Sequence, residues 1–141
     1  MNQARLTCWF GDEAYTYSGL TIQPEPWFPE LQDLRDRLRR DLDVDFNSVL
    51  ANFYPDGNSH VGWHADNESQ IGPIIASVSL GGLREFSIKN TSLGKHHTIG
   101  LQAGSLLVMA GATQKHCKHC IVKTKALVEP RVNLTFRILQ K

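Results

Sequence analysis

Residues 131–137 read Arg-Val-Asn-Leu-Thr-Phe-Arg, with polar and apolar side chains alternating without a break. Successive side chains of a strand point to opposite faces, so Arg131, Asn133, Thr135 and Arg137 share one face and Val132, Leu134 and Phe136 the other. If both faces are covered, as in a small closed barrel, two guanidinium groups enter the interior, where an unpaired charge is very costly. Such a strand calls for an anion, and a dicarboxylate would satisfy both arginines through charge-assisted, often bidentate hydrogen bonds. An edge strand with its polar face in water is the plainer alternative.

The stretch Gly62-Trp63-His64-Ala65-Asp66 carries a second pattern. In extended chain, residues i and i+2 point the same way, so His64 and Asp66 can reach one ion. One further histidine would complete the two-His-one-carboxylate triad of non-haem Fe(II) oxygenases, which leaves coordination positions open for substrate and dioxygen. His116 and His119, in Thr113-Gln114-Lys115-His116-Cys117-Lys118-His119-Cys120, both qualify by residue type, and His119 lies 53 residues beyond Asp66. Cys117 and Cys120 beside them invite a zinc reading. The spacing opposes it, because no second Cys or His pair stands at the distance that structural zinc sites use.

With 141 residues, 41% of them hydrophobic, the chain fits one globular domain over residues 1–141. No run approaches the roughly 18 apolar residues of a membrane span, and the first residues lack the apolar core of a signal peptide, so an intracellular protein without membrane contact is expected. Three cysteines, Cys8, Cys117 and Cys120, suit reduced thiols better than a disulfide framework. A formal net charge of +1 points to no partner, so any nucleic acid would have to meet a local positive patch. Lys115, Lys118, Lys123 and Lys125 form one such run, equally readable as a solvated loop.

Along the chain, Trp9 and Phe10 are followed by Gly11-Asp12-Glu13 and then Tyr15 and Tyr17, which reads as a hairpin. Its aromatics either pack on the core or form a flap that stacks on a planar substrate. Phe28, Leu31, Leu34, Leu38 and Leu42 recur at helical spacing and define an amphipathic helix over 28–42. Residues 46–54 read as a strand with Asn52 and Tyr54 on one face, 60–72 as a loop, and 73–80 as a buried strand. Residues 84–89, 98–101 and 104–109 are further strands. Beyond residue 44 no helical period appears, which argues for an all-β sandwich or barrel there.

Several stretches resemble the AlkB family of Fe(II)- and 2-oxoglutarate-dependent nucleic-acid dealkylases. They are Leu6-Thr7-Cys8-Trp9-Phe10-Gly11 with Tyr15-Thr16-Tyr17-Ser18, Asn52-Phe53-Tyr54, His64-Ala65-Asp66-Asn67-Glu68, Ile74 to Gly81, His119, and Arg131 to Arg137. They stand in the family's order over nearly the whole chain. The resemblance implies a mainly β fold with a packed helix, the double-stranded β-helix or jelly roll. It implies that His64, Asp66 and His119 hold Fe(II), and that Asn52, Tyr54, Arg131, Asn133 and Arg137 hold 2-oxoglutarate, with Arg131 on the distal carboxylate and Arg137 nearer the metal. Trp9, Tyr15 and Tyr17 match the family's substrate lid, making residues 1–20 a partial lid, and Glu68 matches its acidic residue at the base pocket.

The implied activity is DNA repair by oxidative demethylation of bases such as 1-methyladenine and 3-methylcytosine in DNA or RNA. Dioxygen and 2-oxoglutarate would be consumed, and formaldehyde, succinate and carbon dioxide released. Such bases are cationic and easily unpaired, which suits a carboxylate at Glu68. The match begins almost at the lid, with no strand-separating finger ahead of Leu6, so a single-stranded substrate is expected; a monomer is expected as well. Two alternatives remain: the same oxygenase chemistry on another substrate, and a non-catalytic nucleic-acid-binding module.

Overall fold

A computed structural model describes residues 5–17, 19–67 and 70–140, without the Tyr17 side chain. Two antiparallel sheets face each other. In the major sheet, β1 (Leu6–Gly11), β4 (Ser48–Tyr54), β11 (Arg131–Arg137), β6 (Ile75–Gly81) and β9 (Leu106–Met109) lie side by side in that order. In the minor sheet the order is β5 (Val61–His64), β10 (Cys117–Ile121), β7 (Arg84–Asn90) and β8 (His96–Leu101). A small hairpin, β2 (Tyr15–Tyr17) with β3 (Leu20–Ile22), stands apart. This is the jelly roll expected from the sequence.

β11 is central and carries neighbours on both sides, β4 and β6. Its apolar face is covered by α1 (Pro29–Leu42), whose Leu31 and Leu38 are buried with Val49, Ala76, Leu134 and Phe136. Proline at the first helical turn suits a position whose N–H has no intrahelical acceptor. At the other end Asp43 adopts the left-handed conformation, φ 56°, and its N–H donates to the Arg39 carbonyl. The polar face of β11 turns towards the minor sheet. Tyr54, Ile75, Phe86, Leu101, Met109 and Ile121 form a second core cluster between the sheets.

Three expectations are corrected. Residues 61–64, expected within a loop, form the edge strand β5, with His64 paired opposite His119. Four residues containing a glycine are too short to show a period, and pairing with β10 supplies what local pattern does not. The N-terminal hairpin is β2 with β3, whereas β1 pairs with β4, in register from Leu6 opposite Phe53 to Gly11 opposite Ser48. A second helix exists beyond residue 44, but α2 (Thr113–His116) is a single turn, below the length that periodicity can register.

Phe136 is fully buried between α1 and the sheet, its ring centroid 6.0 Å from that of Phe46. Replacing it with alanine is expected to lower unfolding free energy by about 3–5 kcal/mol in urea denaturation, the range for deleting a core aromatic.

Candidate active site

The minor sheet and one irregular segment bring the H-x-D pair and His119 together. His64 ends β5 and His119 is the middle residue of β10, directly opposite it, with ring centroids 4.3 Å apart. Asp66 lies past the end of β5, so its side chain is not placed by strand alternation. Its backbone N–H instead donates to Gln114 Oε1 on α2 at 2.8 Å. One ligand atom from each of His64, Asp66 and His119 lies within 4.8 Å of the others, the one such grouping among the described residues. His116 is exposed and takes no part.

Protonation suits metal binding. His64 Nδ1 lies 2.7 Å from the Gly62 carbonyl, an acceptor, so the hydrogen sits on Nδ1 and Nε2 keeps a free lone pair. His119 is pushed down to about 4, chiefly by burial and then by His64, with Asp66 pulling the other way. Its Nδ1 is buried without a hydrogen-bond partner, and the ring is held by packing on Phe86 at 5.3 Å between centroids. Asp66, with 12% of its side chain exposed, accepts from Arg137 Nη2 at 3.1 Å through Oδ1, and its Oδ2 lies 3.8 Å from His119 Nε2. One carboxylate oxygen is thus anchored while the other faces the imidazoles.

The polar face of β11 forms the floor of a cavity of about 650 Å³, of the size that ligand sites occupy. Arg131 is 2% exposed. Its Nη2 donates to Ser79 Oγ at 3.0 Å and its guanidinium lies 5.0 Å from the Tyr54 ring centroid. Its Nε and Nη1 are buried with no hydrogen-bond partner. Burial holds this guanidinium below its usual range, with Tyr54 pulling it back. A buried cation with two free donors is strongly unfavourable unless an anion meets it. Beside it, Asn52 Nδ2 donates to Asn133 Oδ1 at 3.2 Å, and Asn133 Nδ2 donates to Ser77 Oγ at 2.6 Å. This fixes both amides across three strands. The edge-strand alternative for 131–137 is therefore excluded.

On the cavity wall, Trp9 stacks on Tyr15 at 5.0 Å between centroids and 25° between planes, and both rings line the cavity. The Tyr17 side chain and Glu68, also expected near substrate, lie outside the described residues. Sequence reasoning missed two contributors. Gln114 is buried and supplies the Asp66 anchor, and Arg5 donates from Nε to Asn52 Oδ1 at 2.7 Å. Neither stood in a motif, since a lone Gln or Arg has no signature until its partner is known. Cys117 and Cys120 are free thiols outside the ligand group, which leaves the zinc reading without ligands.

The sequence model of the 2OG-Fe(II) oxygenase superfamily matches residues 1–137, and the chain belongs to that family. The resemblance to AlkB proteins is borne out as well. The chain is 41% identical over 147 residues to "Alpha-ketoglutarate-dependent dioxygenase alkB homolog 3" of Mus musculus, covering 96% of this chain and 51% of the relative. It is 43% identical over 140 residues to "DNA oxidative demethylase ALKBH2" of Bos taurus, covering 91% of this chain and 50% of the relative. The chain thus spans about half the length of these curated relatives. The solved structure of OsALKBH1 shares the fold with a TM-score of 0.68 at 20% identity, covering 97% of this chain and 81% of that one.

The donor set fits the group the family name implies. Two imidazoles and a carboxylate suit Fe(II), and the free donors of Arg131 suit a carboxylate of 2-oxoglutarate.

Gln114 fixes the Asp66 backbone, so Gln114→Ala is expected to weaken Co(II) binding about tenfold, as loss of outer-shell partners does, while shifting Tm little. Titration by the Co(II) visible spectrum, with thermal melting alongside, checks this. In chelator-stripped protein the unfolded chain protonates His119 near pH 6.5, whereas the folded chain resists until about pH 4. Stability is therefore expected to fall as pH drops through that window and to level off below it. Urea unfolding of the native chain and His119→Gln across pH 7.5–4 reads the difference as a shallower slope in the variant.

Proposed function

We propose that this chain is an Fe(II)/2-oxoglutarate-dependent dioxygenase domain that oxidatively demethylates alkylated bases of the 1-methyladenine and 3-methylcytosine type in nucleic acid. The observation that carries the reading is one cavity that joins a His-Asp-His ligand group to a buried arginine with two free donors. The names of two relatives, a DNA oxidative demethylase and an alkB homolog, supply the substrate class.

His64, Asp66 and His119 hold the metal, with Arg137 keeping Asp66 turned towards it. Arg131 takes the distal carboxylate of 2-oxoglutarate, Tyr54 borders the same carboxylate, and Asn52 and Asn133 line its length. When bound, iron with 2-oxoglutarate and dioxygen supplies hydroxylation of a methyl C–H, coupled to splitting of 2-oxoglutarate into succinate and carbon dioxide. The hydroxymethyl group on the ring nitrogen then leaves as formaldehyde and the nitrogen regains its N–H or lone pair, so no side-chain nucleophile is needed. The chain's part is orientation and exclusion of water. Trp9 and Tyr15 form the lid wall that holds the extruded base, and Tyr17 and Glu68 keep the substrate-binding roles that the family resemblance implies. A single-stranded substrate, a monomer and an intracellular location complete the proposal.

Formaldehyde and succinate release from a 3-methylcytosine single-stranded oligonucleotide, with Fe(II), ascorbate and 2-oxoglutarate, tests it. The native chain is expected to release both and His64→Ala neither, while Arg131→Gln raises the KM for 2-oxoglutarate by at least about tenfold, the scale of losing a charge-assisted pair. Succinate without formaldehyde would assign the oxygenase to another substrate. Neither product would favour the binding module.

A further inference from the structure

Between Glu85 and Glu129 the sequence contains no Asp or Glu but holds six of its fifteen Lys and Arg, so the other nine stand among all fourteen acids. That stretch supplies β8, β10 and β7 except for its first two residues, Arg84 and Glu85, and these are three of the four strands of the minor sheet. Glu85 is the one acid on β7, at its far end from Lys89. Register sets Lys118 opposite Lys89, and Lys89 opposite His96, which puts the three on one face. Their chain neighbours turn the other way. His119 follows Lys118 and His64 follows Trp63, and both imidazoles line the cavity.

Trp63, 39% exposed, lies across this outer face. Lys89 Nζ is 4.2 Å from its ring centroid, and the His96 ring meets it edge-on at 5.6 Å. The cation–π contact holds the ammonium of Lys89 out over the sheet. Like charges directly opposite on paired strands repel, and among the described residues no lysine has a carboxylate partner. The basic run seen in the sequence is divided by the fold. Lys115 on α2 and Lys118 on β10 stand on either side of the α2–β10 junction, where Thr91 N–H donates to the His116 carbonyl. Lys123 and Lys125 follow its other end, where Thr124 N–H donates to the Gly57 carbonyl.

We propose that this outer face, with Lys89 and Lys118 as its charges and His96 as a flanking donor, is the track for the phosphates of the nucleic-acid strand flanking the target base. The inference rests on the nucleic-acid reading above. A polyanion is the partner that relieves the repulsion of facing lysines. His64 and His119 sit one residue from Trp63 and Lys118, on the opposite face of β5 and β10. β5 is the edge of the sheet, round which a target base in a strand held here would reach the cavity.

Fluorescence anisotropy of a labelled, unmodified single-stranded 12-mer, titrated with the full chain over 50–300 mM KCl, tests the track. Lys89→Gln with Lys118→Gln is expected to weaken binding about tenfold at the lowest salt. The same pair should reduce the slope of log affinity against log salt by about 1.4, the loss of two contacts to a single strand. Lys89→Arg with Lys118→Arg should bind like the native chain, which separates charge from folding. Lys123→Gln with Lys125→Gln should bind nearly as the native chain does. An unchanged affinity in the Lys89/Lys118 glutamine pair, or an equal loss in the Lys123/Lys125 pair, overturns the track. Formaldehyde release by the native chain would then still stand. A native chain that binds polyglutamate but no oligonucleotide overturns the track in favour of an acidic protein. A native chain without oligonucleotide binding or formaldehyde release removes the nucleic-acid reading and the track together.

Discussion

A charged strand at the centre of a sheet governs this molecule. β11 has a neighbour on either side and a helix behind it, so its polar face meets only the space between the sheets. Arg131 enters that space with one donor satisfied by Ser79 and two unsatisfied. An apolar interior cannot hold such a group cheaply, so the fold is organised as a cavity with a polar floor rather than a closed core. The asparagine pair Asn52 and Asn133 and the hydroxyl of Thr135 extend that floor as a fully bonded network, which fixes side-chain positions across β4, β11 and β6.

The two sheets divide the chemistry. The major sheet contributes the arginines and amides, and the minor sheet contributes His64 and His119 as a cross-strand pair. Asp66 joins them, bonded to Arg137 from one sheet and facing His119 from the other. It stands beyond the end of β5, and Gln114 on a single helical turn steadies its backbone. That turn leads directly into β10, so the segment that delivers His119 also braces Asp66. Burial keeps His119 neutral, the state in which an imidazole can ligate.

Alternation that sends His64 and His119 inward sends their chain neighbours outward. The minor sheet therefore turns His64 and His119 inward and Lys89, Lys118 and Trp63 outward from the same strands. Apart from Glu85 on β7, the acids stand outside these strands, many of them on α1 and the turns around it. A near-neutral chain thus holds six lysines in one stretch free of acids, a feature invisible in its net charge.

The sequence by itself determined what depends on neighbouring residues. The two-residue period of 131–137 separated its faces, the leucine spacing set α1 within a residue, and the ligand types at His64, Asp66 and His119 named a metal chemistry. These are local properties, because backbone geometry alone fixes which way adjacent side chains point. Only the tertiary structure decided that β11 is buried on both faces, that β5 exists as a strand, and that β1 pairs with β4 rather than β2. It also decided which histidine faces Asp66, that Gln114 holds it, and that Lys118 meets Lys89 rather than Lys123. Each of these is a meeting of residues far apart in the chain, and the register that brings them together is set by pairing and packing over the whole sheet, which no local pattern encodes.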